Sequence, residues 1–166
     1  MAIKSNIQPN IIEIDDSLRL IKPNHDQWKV AIPWYENPKV LYYSEGLVDK
    51  VYDMKIIESM YRYLSNNGEL YFIEVKEDKQ WSTIGDVTLS EENLPIVLGY
   101  EKYFGQGIGK KVMKVLIERA KTIGIKKLVV PKVYSYNNRS QNLFESLGFK
   151  LIKESKSEKS YELILA

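Results

Sequence analysis

Three glycines at alternate positions, Gly105, Gly107 and Gly109, stand between the apolar run Leu94-Pro95-Ile96-Val97-Leu98 and a strongly amphipathic stretch beyond Lys110. The spacing predicts a strand, a glycine loop and a helix N-terminus in succession. The first N–H groups of a helix have no partner within it, and the macrodipole adds partial positive charge there. Glycine lets a ligand reach the backbone with no Cβ in the way. Together these residues make a site for a phosphate or pyrophosphate. The alternative is a glycine-rich turn with no ligand.

Two common phosphate loops do not fit. A P-loop needs a Gly five residues before its Gly-Lys-[Ser/Thr]; that position holds Phe104, and Lys111 replaces the hydroxyl residue. A dinucleotide fingerprint needs Gly-x-Gly-x-x-Gly, and counting from Gly105 and Gly107 the third glycine falls on Lys110.

The segment Gly105-Gln106-Gly107-Ile108-Gly109 resembles the acetyl-CoA pyrophosphate loop of the GCN5-related N-acetyltransferase (GNAT) family. That family's pattern is [Gln/Arg]-x-x-Gly-x-[Gly/Ala]; here Phe104 takes the place of its first polar residue. Downstream, Asn137-Asn138-Arg139-Ser140-Gln141-Asn142-Leu143-Phe144-Glu145-Ser146-Leu147-Gly148-Phe149 resembles the family element Asn-x-x-Ala-x-x-Leu-Tyr-x-x-Leu-Gly-Phe. One helix and one strand separate the two, as in the family, and the resemblance runs from about Leu70 to the C-terminus. It implies an α+β fold with a central, mostly antiparallel twisted sheet. Two parallel strands splay apart at one end of that sheet, and helices flank it. It also implies acetyl-CoA as cofactor. The N–H groups from Gly105 through Gln106, Gly107, Ile108 and Gly109 to Lys110 would hold the pyrophosphate. Pantetheine would lie as an added strand along Ile96, Val97 and Leu98. Asn137 matches the family's cofactor-contacting Asn, with a helix N-cap as its alternative role. Asn142 and Phe144 follow on the cofactor side of the same helix.

Acetyl transfer to an amine needs a neutral nitrogen, a polarised carbonyl and a proton for the leaving thiolate. A lysine-like ammonium, with a pKa of about 10.4, is protonated at neutral pH, so a base is required. Where some relatives place a Glu, five residues before the Asn, this chain has Lys132; where many have a Tyr near the sulfur, it has Phe144. The remaining carboxylates near the cleft in sequence are Asp86 and Glu101. Asp86 sits mid-strand in Ile84-Gly85-Asp86-Val87-Thr88-Leu89, where an acid is disfavoured, and is read as acceptor ligand or base, against an exposed strand carboxylate. Alternation puts Ile84, Asp86 and Thr88 on one face. Glu101 beside the loop is a second candidate, against plain solvation. Tyr134 and Tyr136 are candidate proton donors, against packing, and Tyr136 joins Asp86 and Glu101 as a catalytic candidate. Gly99 is either a strand end or a bulge offering an oxyanion N–H. No metal ligands are expected.

Composition narrows the function classes. The chain has 166 residues, with 24 Lys+Arg against 22 Asp+Glu, and this balance argues against a nucleic-acid surface. With no Cys there is no thiolate nucleophile or acetyl-cysteine intermediate, and a single His, His25, argues against a Ser-His-Asp triad. No membrane-spanning run and no signal-peptide core are read, so a cytoplasmic, soluble protein is expected, one domain over residues 1–166, monomer or homodimer.

The elements that must position these residues follow from periodicity and punctuation. Ile11–Ile14 and Leu18–Ile21 predict a hairpin, and Pro23 ends its second strand. Asp26 to Trp34 predicts a helix interrupted at Pro33, and Trp34 to Tyr52 an aromatic-rich loop region. With Glu36, Glu45, Asp49 and Asp53, those aromatics suit a cationic amine, small molecule or peptide; the alternative is a packed region with a solvated rim. Asp53 caps a helix bearing Ile56, Ile57, Met60, Tyr61 and Leu64, stopped at Asn66-Asn67-Gly68. Strands at Leu70–Lys76, Trp81–Leu89 and Pro95–Gly99, a helix at Gly107–Ile123, a strand at Lys127–Val133, a helix capped by Asn137 or Asn138, and a hairpin of Phe149–Glu154 with Ser160–Leu165 complete a mixed α+β order. A catalytically silent acyl-CoA-binding module of the same fold is the alternative to an N-acetyltransferase, resting on Phe104 and Phe144.

Overall fold

A computed structural model describes residues 6–47 and 50–165. β1 (Ile11–Asp15) and β2 (Leu18–Ile21) form the expected hairpin. A 3₁₀ segment, His25–Ala31, runs directly into α1 (Ile32–Tyr35). Pro33 falls in the first turn of α1, where its missing N–H costs nothing, so it starts a helix instead of breaking one. The stretch read as loop contains a second helix, α2 (Pro38–Glu45). Asn37 caps it through the Lys39 N–H at 3.0 Å, and Gly46 closes it in the left-handed region at φ 70°. Asp49 lies outside the described residues. α3 (Met54–Asn67) is capped by Asp53, whose Oδ1 accepts from the Ile56 N–H at 2.9 Å, as expected.

β3 (Glu69–Glu77), β4 (Gln80–Leu89) and β5 (Ile96–Leu98) extend the hairpin into a five-stranded antiparallel sheet ordered β1-β2-β3-β4-β5. A short 3₁₀ turn, Glu101–Tyr103, precedes the glycine loop and α4 (Ile108–Thr122). β6 (Lys127–Tyr134), α5 (Asn138–Ser146), β7 (Lys150–Glu154) and β8 (Glu158–Ile164) follow. The last three strands form a separate antiparallel sheet ordered β6-β8-β7. The α+β class is as expected, but the split is wider: among the described residues no ladder joins β5 to β6, which are edge strands of different sheets.

β3 is buried along most of its length because both faces of the larger sheet are covered. Leu70 and Phe72 pack with Trp28, Trp34, Tyr35, Leu41, Ile57 and Tyr61 under α1 to α3. Tyr71, Ile73 and Val75 pack on the other face with Val112, Met113, Leu116 and Ala120 of α4. At about 1.5–3 kcal/mol for each large side chain buried, the α4 stripe holds the helix, and hence its N-terminus, against the sheet. The β3–β4 register slips between Ile73 and Glu74, leaving Ile84 as the extra residue. Ile84 therefore joins Val87 and Leu89 in the α4-side core. Asp86, paired with Phe72, faces the other way, so the expected common face of Ile84 and Asp86 does not exist.

Candidate active site: a cleft between two sheet edges

The glycine loop is built as its residues require. Gly105 and Gly107 have φ of 71° and 79°, a region costly for other residues, and a Cβ at either would meet nothing within 4 Å. Backbone conformation, not crowding by protein, is what selects glycine there. Gly107 is the N-cap of α4 and offers no side chain to the free N–H groups, and the first turn holds no acid. It holds instead Lys110 and Lys111, the wrong sign for the helix dipole unless an anion sits there. Lys111 is paired with Asp15 at 2.9 Å, while the exposed Lys110 borders the cleft. Gln106 turns its side chain back to donate to the Lys102 carbonyl, so any part it takes in binding is through its N–H.

Behind the loop lies a cleft of about 760 Å³, within the usual range for ligand pockets. Its walls are Ile96–Leu98 of β5, Val130 to Tyr134 of β6, Asn137 and Asn142 to Phe144 by α5, and Tyr43 to Glu45 of α2. The Thr88 N–H donates to the Pro95 carbonyl at 3.1 Å and the Gly99 N–H to the Ile84 carbonyl at 2.7 Å. Antiparallel alternation then commits the backbone of Val97 to Asp86 and turns the backbone groups of Ile96 and Leu98 toward the gap. Of the three β5 residues expected to hold pantetheine, two have free backbone groups facing the cleft, and Val97 contributes wall only. Gly99 spends its N–H on β4 and is not an oxyanion donor; a Cβ there would lie 2.2 Å from the Trp34 ring, so close packing explains this glycine.

Asn137 plays its capping role. Its Oδ1 accepts from the Ser140 N–H at 3.2 Å while its Nδ2 donates to the Tyr43 carbonyl at 3.3 Å, tying α5 to α2 at the cleft edge. Asn142 is exposed on the wall. Phe144 is buried, its ring edge-on to Phe149 at 5.2 Å, with only its margin reaching the cleft. The departure at Phe104 also has a physical account: the Arg139 guanidinium lies 3.6 Å over its ring.

The three catalytic candidates lie elsewhere. Asp86 is 1 % exposed, not a solvated strand carboxylate, and is not part of the cleft wall. The Tyr35 and Tyr61 hydroxyls both donate to its Oδ2 at 2.7 Å. Burial pushes its carboxyl up to about 6 against the opposing pull of those two bonds. Glu101 sits 3.4 Å from Lys39 beside a second, adjoining hollow. Tyr136 borders that same hollow, stacked on Tyr42 at 4.2 Å and Tyr134 at 5.4 Å, its hydroxyl donated to the Tyr42 carbonyl.

The cleft has a carboxylate of its own. Glu45, the last residue of α2, is the sole Asp or Glu among the described residues that line it. Its side chain is exposed on the cleft wall, and partial desolvation raises its pKa above the ordinary value against the pull of the nearby Tyr52 hydroxyl and of Lys132 across the cleft. The Tyr134 hydroxyl donates to the Glu45 carbonyl at 3.0 Å, fixing the end of α2 to β6. Sequence reasoning placed Glu45 only among loop acids. Asn37-Pro38 at one end and Gly46 at the other were the available signal for a helix ending at this residue.

This arrangement suits acetyl-CoA: uncapped N–H groups and a lysine for phosphates, then a free strand edge for an extended amide chain. The family model described as acetyltransferase (GNAT) family matches residues 34–149. The chain belongs to that family. A protein of Methanocaldococcus jannaschii is 28 % identical over 159 residues, covering 91 % of this chain and 32 % of that protein. The chain thus spans about a third of the length of that curated relative. A crystallised domain from the same organism superposes with a TM-score of 0.78 at 24 % identity, covering 90 % of this chain and 100 % of the other. The microcin C7 self-immunity acetyltransferase MccE, solved with acetyl-CoA and AMP, gives a TM-score of 0.74 at 18 % identity over 95 % of this chain and 97 % of that one. RimL, a ribosomal alpha-N-protein acetyltransferase solved with coenzyme A, gives 0.75 at 16 % identity over 93 % and 98 %. Among the described residues no helix is long and apolar enough to cross a membrane, and no group of three or more His, Cys, Asp or Glu could hold a metal ion.

Proposed function

We propose that the protein is an N-acetyltransferase that moves the acetyl group of acetyl-CoA directly to a primary amine of a small cationic acceptor or a peptide N-terminus. The observation that carries this reading is the cleft itself, with a phosphate-binding helix start at one end, an open strand edge along one wall and a carboxylate among tyrosines at α2. Bound there, acetyl-CoA supplies an activated thioester carbonyl. The N–H groups of Gly107 to Gly109 and the Lys110 ammonium hold phosphate charge, and the backbone of Ile96 and Leu98 aligns the chain that leads inward. With no Cys in the sequence, no cysteine carries the acetyl group and acceptor and donor meet in one complex. A structural neighbour that modifies the N-terminal serine of a ribosomal protein keeps a peptide N-terminus within the reading.

The buried Phe144, which offers no hydroxyl to a leaving sulfur, favours a second reading, a binding module without turnover. The experiment is thiol release from acetyl-CoA with a panel of kanamycin, spermidine, glucosamine and a short Ser-initiated peptide, alongside calorimetric titration with coenzyme A. Amine-dependent release is expected. Coenzyme A binding with no release for any amine selects the module. Unchanged coenzyme A affinity in Gly107→Glu, which places charge and bulk at the α4 N-terminus, would sink both.

A further inference from the structure

We infer that Glu45 is the catalytic base of this cleft, taking the ammonium proton from the acceptor, with Tyr52 positioning its carboxylate. The inference rests on the amine-acetylation reading above and deepens it by naming the residue that makes the nucleophile.

Position is the first argument. An acceptor amine enters as an ammonium and must lose one proton inside the cleft before its nitrogen can bond carbon. Among the described lining residues, Glu45 alone carries a carboxylate, whereas Asp86 is sealed beneath Tyr35 and Tyr61 and Glu101 is held by Lys39 outside it. The second argument is support. The backbone of Glu45 is fixed by the Tyr134 hydroxyl, and Gly46 follows in a left-handed cap where a Cβ would strike Tyr134 at 2.6 Å. Tyr52, whose hydroxyl lies near enough to the Glu45 carboxylate to lower its proton affinity, is itself stacked on Tyr35 at 5.6 Å and donates its N–H to the Tyr35 carbonyl at 3.0 Å. An exposed carboxylate whose backbone is anchored, with tyrosines beside it, suits an ammonium group through charge and cation–π attraction.

The proton balance is simple. The ammonium gives one proton to the Glu45 carboxylate. The neutral nitrogen then bonds the thioester carbonyl carbon as the carbon–sulfur bond breaks, and a second nitrogen proton ends on the sulfur as the free thiol. Glu45 returns its proton to solvent. The groups that set its proton affinity are Tyr52 before α3, Lys132 and Tyr134 on β6, and, at longer range, Asp86 on β4 and Tyr35 on α1. Partial desolvation raises it, while Tyr52 and Lys132 lower it, so removing the Tyr52 hydroxyl raises it further.

The test compares wild type, Glu45→Gln and Tyr52→Phe with whichever panel amine the wild type acetylates. Glu45→Gln should lose about 100-fold or more in kcat at neutral pH, with calorimetric coenzyme A affinity within twofold of wild type. Its residual rate should keep climbing with pH as free amine accumulates. Tyr52→Phe should keep most of the maximal rate and move the acidic limb of the pH–rate profile to higher pH. A ¹³C NMR titration of labelled glutamate, read without turnover, should show a signal that titrates above the ordinary glutamate value, is absent in Glu45→Gln and moves up in Tyr52→Phe. A kcat within threefold of wild type in Glu45→Gln overturns the inference. If Glu45→Gln fails to fold, an unmoved acidic limb in Tyr52→Phe overturns it instead. A wild type that acetylates no amine refutes the enzymatic reading and the inference together; a turning-over wild type with an indifferent Glu45→Gln refutes the inference alone.

Discussion

The buried Asp86 makes a quantitative prediction about stability. Its carboxyl lies in the aromatic core with both Tyr35 and Tyr61 hydroxyls on one oxygen, and burial lifts its pKa from 3.8 to about 6. At about 1.4 kcal/mol per pH unit, that displacement amounts to about 3 kcal/mol. The sign follows from proton counting. Between the unfolded and folded values the folded protein binds more protons, so its stability falls as pH rises. This contribution is fully present below the unfolded value of 3.8 and is lost as pH rises through about 6. Asp86→Asn keeps an oxygen for the two tyrosines and does not titrate. The wild-type stability relative to Asp86→Asn should therefore drop by about 3 kcal/mol between roughly pH 4 and pH 8. Urea unfolding of both proteins across that range, at constant ionic strength, measures the gap directly. A gap that stays flat within about 0.5 kcal/mol, or one that grows in favour of wild type at high pH, would refute the placement of a desolvated carboxylate here.

Substitutions at two positions probe the packing that shapes the cleft. Gly99→Ala drives a methyl into the fully buried Trp34 ring and should destabilise by about 1–3 kcal/mol; a melting temperature unchanged by calorimetry contradicts the close contact. Asn137→Ala removes the α5 cap and the bond to the Tyr43 carbonyl and should cost about 1 kcal/mol. Asn137→Asp should restore the cap but not the tie to α2, so denaturant unfolding should place it between the other two.

Much of the fold was legible because it rests on short-range signals. The β1–β2 hairpin, the Asp53 cap of α3, the β3–β4 pair and the strand–glycine loop–helix passage all appeared where periodicity and punctuation put them. The failures share a cause. Aromatic side chains between residues 34 and 52 obscured α2, although Asn37-Pro38 and Gly46 marked both of its ends. The bulge at Ile84 defeated strict alternation, because one extra residue in β4 reverses which neighbours share a face with Asp86.

The sequence alone determined the backbone form of the loop proposed to take phosphate. Glycines at positive φ leading into an uncapped helix form a local unit, and local backbone geometry is written in local residue types. The acceptor end was decided only in three dimensions. Asp86, Glu101 and Tyr136 are close to the loop or the strands in sequence, yet the tertiary structure buries the first and sends the other two to a neighbouring hollow. Glu45 is brought to the cleft from far along the chain by the Tyr134 bond to its carbonyl, a contact spanning 89 residues. Whether a carboxylate is a solvated rim group, a buried acid or a wall of the site depends on what packs around it. That packing is a property of the whole fold, not of the segment in which the residue lies.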